Sequence, residues 1–314
     1  MHIVTGSDDN YVPGVMVLIA STLWHNPGAH FTILDMGISR ENRARIDLLG
    51  ERLGAIIHRI EVAEDRFNNL FIRRAHLKRS AYLRLLIPEL LPDSDRVIYM
   101  DCDMVVTGRL EALDQVPLEA YPIAAVACPS PDPRELAATE TKLGEYVNSG
   151  LLVMNLPLWR NENIAEACER ALSDPSCPRL CEDQSAINIV CRGRVKLLDP
   201  CYNIYANEPT YMSPESLPKK ITVLHYVVNV KPWMWNVSFG EIWDFHADRI
   251  SDLLPPRRRK NFFQLATRIE SHRRMVFGLA MGRKKHWQRL KVRRAIRENI
   301  VLPYLQAQKE RPTE

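Results

Sequence analysis

Strands and helices alternate along the first sixty residues, and this alternation constrains the fold more than any other feature of the chain. The patterns run in the order strand 2–6, helix 12–25, strand 30–36, helix 39–54 and strand 55–62. Such alternation is typical of a mostly parallel sheet with helices on both faces. Ligands of these sheets bind beyond the carboxyl ends of the strands. We therefore expect an α/β fold with its functional site at that edge.

A further apolar run, at 96–100, predicts a buried strand that ends in two carboxylates, Asp101 and Asp103. On extended backbone, side chains two residues apart point to the same side, so both carboxylates can converge on one cation. Hard oxygen ligands suit Mg²⁺ or Mn²⁺ holding a phosphate-bearing substrate. A lone D-x-D pattern is more often a solvated turn, and only the other motifs of the chain favour the metal site.

Composition is that of a globular protein, with 314 residues, 46% of them apolar and 25% charged. No apolar run is long enough to cross a bilayer, and the chain starts directly in a strand pattern without a signal peptide. Seven cysteines without zinc spacing fit reduced thiols, so we expect a cytoplasmic protein. Neither G-x-G-x-x-G nor G-x-x-x-x-G-K-[ST] is present, so phosphate must be held without a dinucleotide cradle or P-loop.

Charge divides the chain into two parts. Residues 257–314 contain 17 Lys and Arg against 4 Asp and Glu, a net charge of +13, whereas residues 1–256 carry −9. Pro255 and Pro256 stand at the change, where a helix would stop. We therefore predict one domain at 1–254 and a basic helical tail at 255–314.

The tail has apolar residues at near-helical spacing among its lysines and arginines. A basic amphipathic helix of this kind is typical of segments that lie on an anionic membrane surface. The alternatives are a helix packed on the core or on a partner, and a nucleic-acid-binding patch. We expect the tail to lie on an anionic membrane surface and to bind no nucleic acid.

Between the strand ends, a helical pattern that stops at Pro88 carries His76 and Arg84 two turns apart on a similar face. Both could face one cleft, or both could be solvated charges.

Asn148 and Gly150 stand at the mouth of a later buried strand. The glycine permits close backbone approach, and the asparagine offers an amide to a hydroxyl-rich ligand.

Three more polar residues follow. Asp183 and Gln184 begin a predicted helix, where on spacing alone Asp183 fits the role of an N-cap best. His225 ends a buried strand and precedes Lys231 by six residues. A single histidine in that position is more often a satisfied core residue than a ligand.

The order of these motifs resembles glycosyltransferase family 8 over residues 2 to about 245. The motifs are D-D-N-Y at 8–11, H-x-x-x-x-A-x-x-R at 76–84, D-x-D at 101–103, N-S-G-x-x-x-x-N at 148–155, E-D-Q-x-x-x-N at 182–188 and H-x-x-x-x-x-K-P-W at 225–233. That family includes retaining bacterial galactosyltransferases of lipooligosaccharide synthesis, and glycogenin is a distant relative. Each motif is weak alone, whereas six in the right order are specific.

The resemblance implies a GT-A fold with a mostly parallel, Rossmann-like sheet, a UDP-glucose or UDP-galactose donor, and Mn²⁺ with Mg²⁺ as the alternative. It implies that Asp101, Asp103 and His225 bind the metal, and that His76 lies near the acceptor. The donor-binding residues that it implies are Asp8, Asn10, Tyr11, Arg84, Asp101, Cys102, Asn148, Asp183 and Lys231. The catalytic residues that it implies are Gln184, Asp183, Arg84 and Lys231.

The implied activity is retaining transfer of a hexose to a glycan or lipid-linked acceptor, in surface polysaccharide or lipopolysaccharide synthesis. The amide of Gln184 is a poor nucleophile, so front-face attack by the acceptor is favoured, with Asp183 binding sugar hydroxyls or acting as a transient nucleophile. Cys128 stands where bacterial members often carry an acidic acceptor-binding residue, which leaves the acceptor open. The alternative function is a non-catalytic sugar-nucleotide-binding scaffold or membrane adaptor with the same fold.

Overall fold

The structure is a computed structural model that describes residues 1–67, 79–174, 177, 181–227, 230–256 and 262–311. The chain divides into two compact units. The first contains Met1–Ile204 and Ile221–His225, and the second contains Tyr205–Lys220 and Tyr226–Glu314. The boundary expected between residues 254 and 255 stays a prediction.

Ten strands are described. They are β1 (His2–Ser7), β2 (His30–Asp35), β3 (Ile57–Glu61), β4 (Arg96–Met100), β5 (Met104–Val106), β6 (Ile123–Ala127), β7 (Val147–Asn155), β8 (Val195–Leu197), β9 (Ile204–Tyr205) and β10 (Val223–His225). Seven of them form one sheet in the order β3-β2-β1-β4-β7-β6-β8. In that sheet β7 runs antiparallel to both neighbours, and the other pairs are parallel. The mostly parallel α/β sheet that the alternation predicted is confirmed.

The described helices follow the same alternation. They are α1 (Val12–His25), α2 (Arg40–Leu53), α3 (Ile87–Leu90), α4 (Glu111–Asp114), α5 (Pro133–Thr139), α6 (Leu156–Asn161), α7 (Ile164–Ser173), α8 (Glu182–Val190), α9 (Gly240–Asp248), α10 (Phe262–Ala280), α11 (Lys284–Ile296) and α12 (Leu302–Lys309). As predicted, the Ser39 side chain caps α2 by accepting from the Asn42 backbone N–H, and Gly54 ends α2 in the left-handed region.

The helix predicted to stop at Pro88 differs in the structure. Residues Arg79–Leu86 form a 3₁₀ helix, and Pro88 lies in the first turn of α3, where a missing N–H costs nothing. A Cβ on Gly6 of β1 would lie 2.9 Å from Leu83 Cδ1, so the absent side chain lets the 3₁₀ helix approach the sheet closely. The close packing fixes the backbone that carries Arg84.

A smaller sheet has the order β5-β10-β9, and β10 pairs antiparallel with β5. In this pairing His225, the last residue of β10, lies opposite Met104, the first residue of β5. The strand after the D-x-D motif therefore determines where His225 lies.

The second unit contains α9 to α12, with a π-helical turn at Arg297–Val301. Val292, Ile296 and Val301 are buried. Glu208, 3% exposed, forms ion pairs with Arg289, at 2.9 Å, and with Arg293 of α11. The helical C-terminal extension predicted from the sequence is present. None of the helices within the described ranges is both long and apolar enough to cross a membrane.

Candidate functional site

Polar side chains gather at one edge of the large sheet in the first unit. The carboxyl end of β4 leads into Asp101, and the reversed strand β7 begins at the same edge with Asn148 in its second position. The Asp101 backbone N–H donates to the carbonyl oxygen of Gly150 at 2.7 Å, which joins the two segments. The edge is the one expected of an α/β sheet.

The D-x-D motif itself does not continue the strand. Residues 101–103 form a turn between β4 and β5, in which the Met104 N–H donates to the Asp101 carbonyl oxygen at 3.2 Å. The expectation of an extended backbone at Asp101 and Asp103 is therefore wrong, because the chain leaves the large sheet for the smaller one here. The two carboxylates are brought together by the turn rather than by strand periodicity.

Asp101, Asp103 and His225 form a cluster whose ligand atoms all lie within 4.8 Å of one another. His225 Nε2 lies 3.2 Å from Asp103 Oδ1 and 3.6 Å from Asp101 Oδ2. His225 is 3% exposed, and β10 holds it opposite the turn. Two carboxylates and an imidazole suit Mn²⁺ as well as harder divalent ions.

Gly150 leaves the space in which this cluster sits. A Cβ at that position would lie 2.4 Å from His225 Cε1, 2.8 Å from Asp101 Oδ2 and 2.9 Å from Asn148 Oδ1. These distances are shorter than any ordinary carbon contact, so no other residue fits here without displacing one of these three side chains. The glycine predicted to permit close approach does so at the proposed metal ligands.

Arg84, 5% exposed, is the cation at the centre of the site. Its Nη2 donates to Asp101 Oδ1 at 3.0 Å, its Nε lies 3.0 Å from Asp183 Oδ2, and its Nη1 donates to the Ser149 hydroxyl at 2.8 Å. Burial disfavours the charged form, but Asp101 and Asp183 more than offset this, so the pKa of the guanidinium is raised. The alternative of a solvated surface charge is wrong for Arg84.

Tyr99 belongs to the same network, although sequence reasoning did not identify it. Its hydroxyl donates to Asp101 Oδ1 at 2.8 Å, and the guanidinium carbon of Arg84 lies 4.7 Å from the centre of its ring. Burial is the main cause that raises the pKa of this phenol well above its usual value. The signal was its position in the strand that leads into the motif, two residues before Asp101.

Asp183 does not cap its helix. The N-cap of α8 is Cys181, and the Asp183 carboxylate instead pairs with Arg84. The N-cap interpretation, preferred on spacing alone, is wrong because a buried guanidinium is the stronger partner. Burial raises the pKa of Asp183 to about 6, against the opposing effect of Arg84.

Gln184 and Asn148 bond to each other. Gln184 Oε1 accepts from Asn148 Nδ2 at 2.8 Å and from the Ser149 backbone N–H at 3.2 Å, while Gln184 Nε2 donates to the Tyr146 hydroxyl at 2.9 Å. Tyr146 was not singled out in the sequence, because a tyrosine at a strand start is ordinary. The structure thus brings the predicted Asn148 and Gln184 side chains into direct contact.

Three of the residues predicted to bind the donor, Asp8, Asn10 and Tyr11, lie after β1. Asp8 Oδ1 accepts from the Asn10 backbone N–H at 2.8 Å and so caps a short 3₁₀ helix at Asp9–Tyr11. Burial, followed by the nearby Cys102 and Asp103, raises the pKa of the Tyr11 phenol. Tyr11 is therefore close to the turn that carries Asp101, Cys102 and Asp103.

Two further residues named in the sequence analysis, Lys231 and His76, stay predictions. Lys231 belongs to the second unit, is 5% exposed and donates through Nζ to the Tyr226 carbonyl oxygen at 2.6 Å. His76, predicted near the acceptor, lies outside the described residues.

Comparison with known proteins identifies the family of this chain. The family model for glycosyl transferase family 8 matches residues 2–236. General stress protein A of Bacillus subtilis is 27% identical over 261 residues, which cover 76% of this chain and 89% of that protein. The lipopolysaccharide 1,3-galactosyltransferase of Salmonella typhimurium is 26% identical over 247 residues, which cover 74% of this chain and 72% of that enzyme.

A solved structure matches in the same way. The galactosyltransferase LgtC, in complex with donor and acceptor sugar analogs, is 25% identical, with a TM-score of 0.68, and the match covers 81% of this chain and 95% of that one. The family model spans most of the chain, and the fold is that of a GT-A glycosyltransferase. This chain belongs to glycosyltransferase family 8.

Proposed function

We propose that this glycosyltransferase is a metal-dependent, retaining hexosyltransferase that moves glucose or galactose from a UDP-sugar to a glycan or lipid-linked acceptor. The biological setting we propose is surface polysaccharide or lipopolysaccharide synthesis. The observation that carries the proposal is the cluster of Asp101, Asp103 and His225 beside the buried cation Arg84. The similarity to the Salmonella lipopolysaccharide 1,3-galactosyltransferase supports the substrate class.

The donor set of the cluster fits a divalent ion. Asp101 and Asp103 would supply carboxylate oxygens and His225 would supply Nε2, in the space that Gly150 leaves. Imidazole together with carboxylates favours Mn²⁺, with Mg²⁺ as the alternative. An ion bound there would neutralise the negative charge that develops on the departing UDP diphosphate.

The protein's own cations and aromatic groups would hold the rest of the donor. Tyr11 would stack on the uracil ring, with Asp8 and Asn10 bonding to the nucleoside. Arg84 pairs with Asp101 and Asp183, and its charge would help to hold the diphosphate. Lys231 would meet the leaving phosphate, and Cys102 would contact the donor from within the metal-binding turn.

The stereochemical outcome that we propose is retention. Gln184 lies next to Asn148 and carries an amide, which is too weak a nucleophile to form a covalent sugar intermediate. The acceptor would therefore attack on the face from which UDP leaves, while Gln184 stabilises positive charge at the anomeric carbon. Asp183, tied to Arg84, would bind hydroxyls of the hexose, and the role of transient nucleophile is its alternative.

A UDP-release assay tests the proposal. We expect the full-length protein to release UDP from UDP-glucose or UDP-galactose in the presence of Mn²⁺ and to stop when the metal is chelated. Asp103→Ala should lower turnover roughly 10–100-fold or more, as loss of a metal ligand or of its support does. The control is Asp93→Ala, an exposed aspartate outside the cluster, which should leave turnover unchanged. Absence of metal-dependent turnover with every UDP-sugar would favour the non-catalytic scaffold instead.

The acceptor site is the less defined half of the proposal. Cys128 stands after β6, where related bacterial enzymes often carry an acidic residue, and His76 is the predicted acceptor contact. A thiol cannot accept as strongly from sugar hydroxyls as a carboxylate does. Lipid-linked glycans extracted from bacterial membranes, tested with the donor identified by UDP release, are the acceptor screen that we propose.

We further propose that α10 lies on the inner face of the cytoplasmic membrane. Ile269, Val276 and Phe277 are 66%, 51% and 56% exposed, next to exposed Arg273 and Arg274. The charge of +13 over residues 257–314 would attract anionic lipids, and the apolar side chains would enter the interface. A lipid-linked acceptor would then be presented at the surface to which the enzyme binds.

Liposome flotation tests this membrane proposal with the full chain. Ile269→Ser with Phe277→Ser should weaken binding to anionic vesicles, and high salt should weaken it further. Leu48→Ser is the matched control, because Leu48 is 51% exposed on α2 of the first unit. Equal binding by the double variant and the wild type would refute the assignment of α10 as the membrane-binding surface.

A further inference from the structure

A continuous series of hydrogen bonds connects a buried glutamate to the proposed metal ligand His225. We call it the polar chain, and all of its members lie in the first unit. Its contacts are Tyr146 Oη donating to Glu135 Oε1 (3.1 Å), Gln184 Nε2 to Tyr146 Oη (2.9 Å), Asn148 Nδ2 to Gln184 Oε1 (2.8 Å), Asn203 Nδ2 to Asn148 Oδ1 (2.8 Å), and His225 Nδ1 with Asn203 Oδ1 (2.9 Å).

Backbone N–H groups, which can only donate, fix which atom donates and which accepts in each hydrogen bond of the polar chain. The Ser149 N–H bonds to Gln184 Oε1 at 3.2 Å, and the Gly150 N–H bonds to Asn148 Oδ1 at 3.1 Å. The two side-chain atoms that face β7 must therefore be carbonyl oxygens rather than amide nitrogens. At its other end Glu135, 1% exposed, accepts from Tyr146 as a carboxylate does, which agrees with the same direction.

This direction determines how Asn203 is turned. Because Asn148 Oδ1 is an acceptor, Asn203 must present its NH₂ group to it, and the Asn203 carbonyl oxygen is left facing His225. Asn203 is 3% exposed, so water does not offer an easy substitute for either contact. The amide orientation of Asn203 thus follows from the backbone of Gly150.

The orientation of Asn203 in turn selects the proton position on His225. A carbonyl oxygen opposite Nδ1 requires a proton on Nδ1, and a neutral imidazole then has its lone pair on Nε2. Nε2 is the atom that lies 3.2 Å from Asp103 Oδ1, inside the metal cluster. A reversed Asn203 would place an NH₂ group against Nδ1, move the proton to Nε2 and block ligation.

We propose that Asn203 is a positioning residue that holds His225 with Nδ1 protonated and Nε2 ready to bind the divalent ion. The inference rests on the proposed function, since it takes Asp101, Asp103 and His225 as the metal site. The polar chain also contains Gln184 and Asn148, the proposed hexose contacts. The orientation of the sugar-binding amides and that of the metal ligand are therefore set together.

The test is the Mn²⁺ dissociation constant of the full-length protein, measured from the electron paramagnetic resonance signal of free Mn²⁺. Asn203→Leu removes the acceptor opposite Nδ1, and we expect affinity to fall roughly 10–100-fold. Asn203→Asp keeps an oxygen opposite Nδ1 but removes the NH₂ group that bonds to Asn148. We expect it to keep at least wild-type Mn²⁺ affinity and to raise KM for the UDP-sugar.

The matched control is Asn188→Leu. Asn188 is 2% exposed and bonds to the Val147 backbone of β7 and to the Gln184 backbone carbonyl oxygen, yet it makes no contact with Asn203 or His225 among the described hydrogen bonds. Its loss should lower the melting temperature without weakening Mn²⁺ binding. It therefore separates general damage near β7 from the specific loss of the acceptor.

The outcomes distinguish this inference from the proposed function. If the wild type binds no Mn²⁺, the proposed metal site fails. If the wild type binds Mn²⁺ and Asn203→Leu binds it equally well, the positioning role alone is overturned. The positioning role is also overturned if Asn203→Leu and Asn203→Asp weaken Mn²⁺ binding equally, because that pattern indicates a merely structural role. Should the Leu variant not fold, the split between metal affinity and KM in Asn203→Asp decides.

Discussion

Replacing Gly150 with alanine adds one methyl group at the most crowded point of the site. The new Cβ would lie 2.4 Å from His225 Cε1 and 2.8 Å from Asp101 Oδ2. Gly150 is not among the residues with positive φ, so the backbone itself accepts alanine without strain. The effect of Gly150→Ala therefore comes from overlap with His225 and Asp101, two proposed metal ligands, and with the side-chain oxygen of Asn148.

The distances give the size of the effect. Ordinary van der Waals contact begins at 3.4 Å, so His225, Asp101 or the strand must move by about 1 Å. Metal ligands tolerate deviations of about 0.2 Å, so we expect Mn²⁺ affinity to fall roughly 10–100-fold, or about 1.4–2.8 kcal/mol. The overpacking should also lower the free energy of unfolding by about 1–3 kcal/mol.

Two assays measure these changes, namely Mn²⁺ titration and urea unfolding monitored by circular dichroism. Gly108→Ala is the control, because its Cβ would lie 3.4 Å from Thr222 Cγ2, within ordinary contact. It should preserve both metal affinity and unfolding free energy. Wild-type Mn²⁺ affinity in Gly150→Ala would refute the reasoning, since the ligands could not then occupy the positions described.

Three further predictions concern buried charged groups. Because burial raises the pKa of Asp183 to about 6, kcat/KM for UDP release should fall below about pH 6, and Asp183→Asn should remove that decline. The native protein also holds this proton more tightly than the unfolded chain, so the contribution of Asp183 to stability should be lost as pH rises from about 4 to about 6, as urea unfolding would measure. Arg289→Met with Arg293→Met should cost about 2–3 kcal/mol in urea unfolding, because the guanidinium groups are partly exposed but the Glu208 they pair with is buried. Arg273→Met, which breaks an exposed pair, should leave the unfolding midpoint unchanged.

The C-terminal tail shows what charge patterning can and cannot predict. The split in charge and the apolar spacing predicted a basic helical extension, and α10 to α12 are present. Patterning could not reveal that Glu208 pairs with α11, because such a contact joins residues about eighty positions apart. Truncation at residue 256 would remove both arginines and leave a buried carboxylate, so surface substitutions on α10 are the better test of membrane binding.

The fold could be predicted from the sequence because strand and helix periodicity depends on residues that are close together in the chain. Ser39 and Gly54 bound α2 as their residue types predict, since a cap depends only on neighbouring backbone groups. The turn at residues 101–103 could not be predicted, because the chain leaves one sheet for another at that point. Periodicity cannot show where a strand changes sheet.

The site was accessible only in part. D-x-D and the terminal histidine indicated three residues that the structure brings together, but Asp183 looked like an N-cap until its distance to Arg84 was known. Asn203 carried no signal at all, because its role depends on the direction of hydrogen bonds that begin at Gly150. Long-range polar contacts of this kind leave no periodic trace in a sequence.

Anomalous diffraction from crystals grown with Mn²⁺ and UDP tests the central claim most directly. We expect one manganese peak within about 2.0–2.4 Å of a carboxylate oxygen of Asp101, a carboxylate oxygen of Asp103 and Nε2 of His225, with diphosphate oxygens on its open side. A manganese peak elsewhere, with these three side chains unliganded in the presence of UDP, would contradict the account.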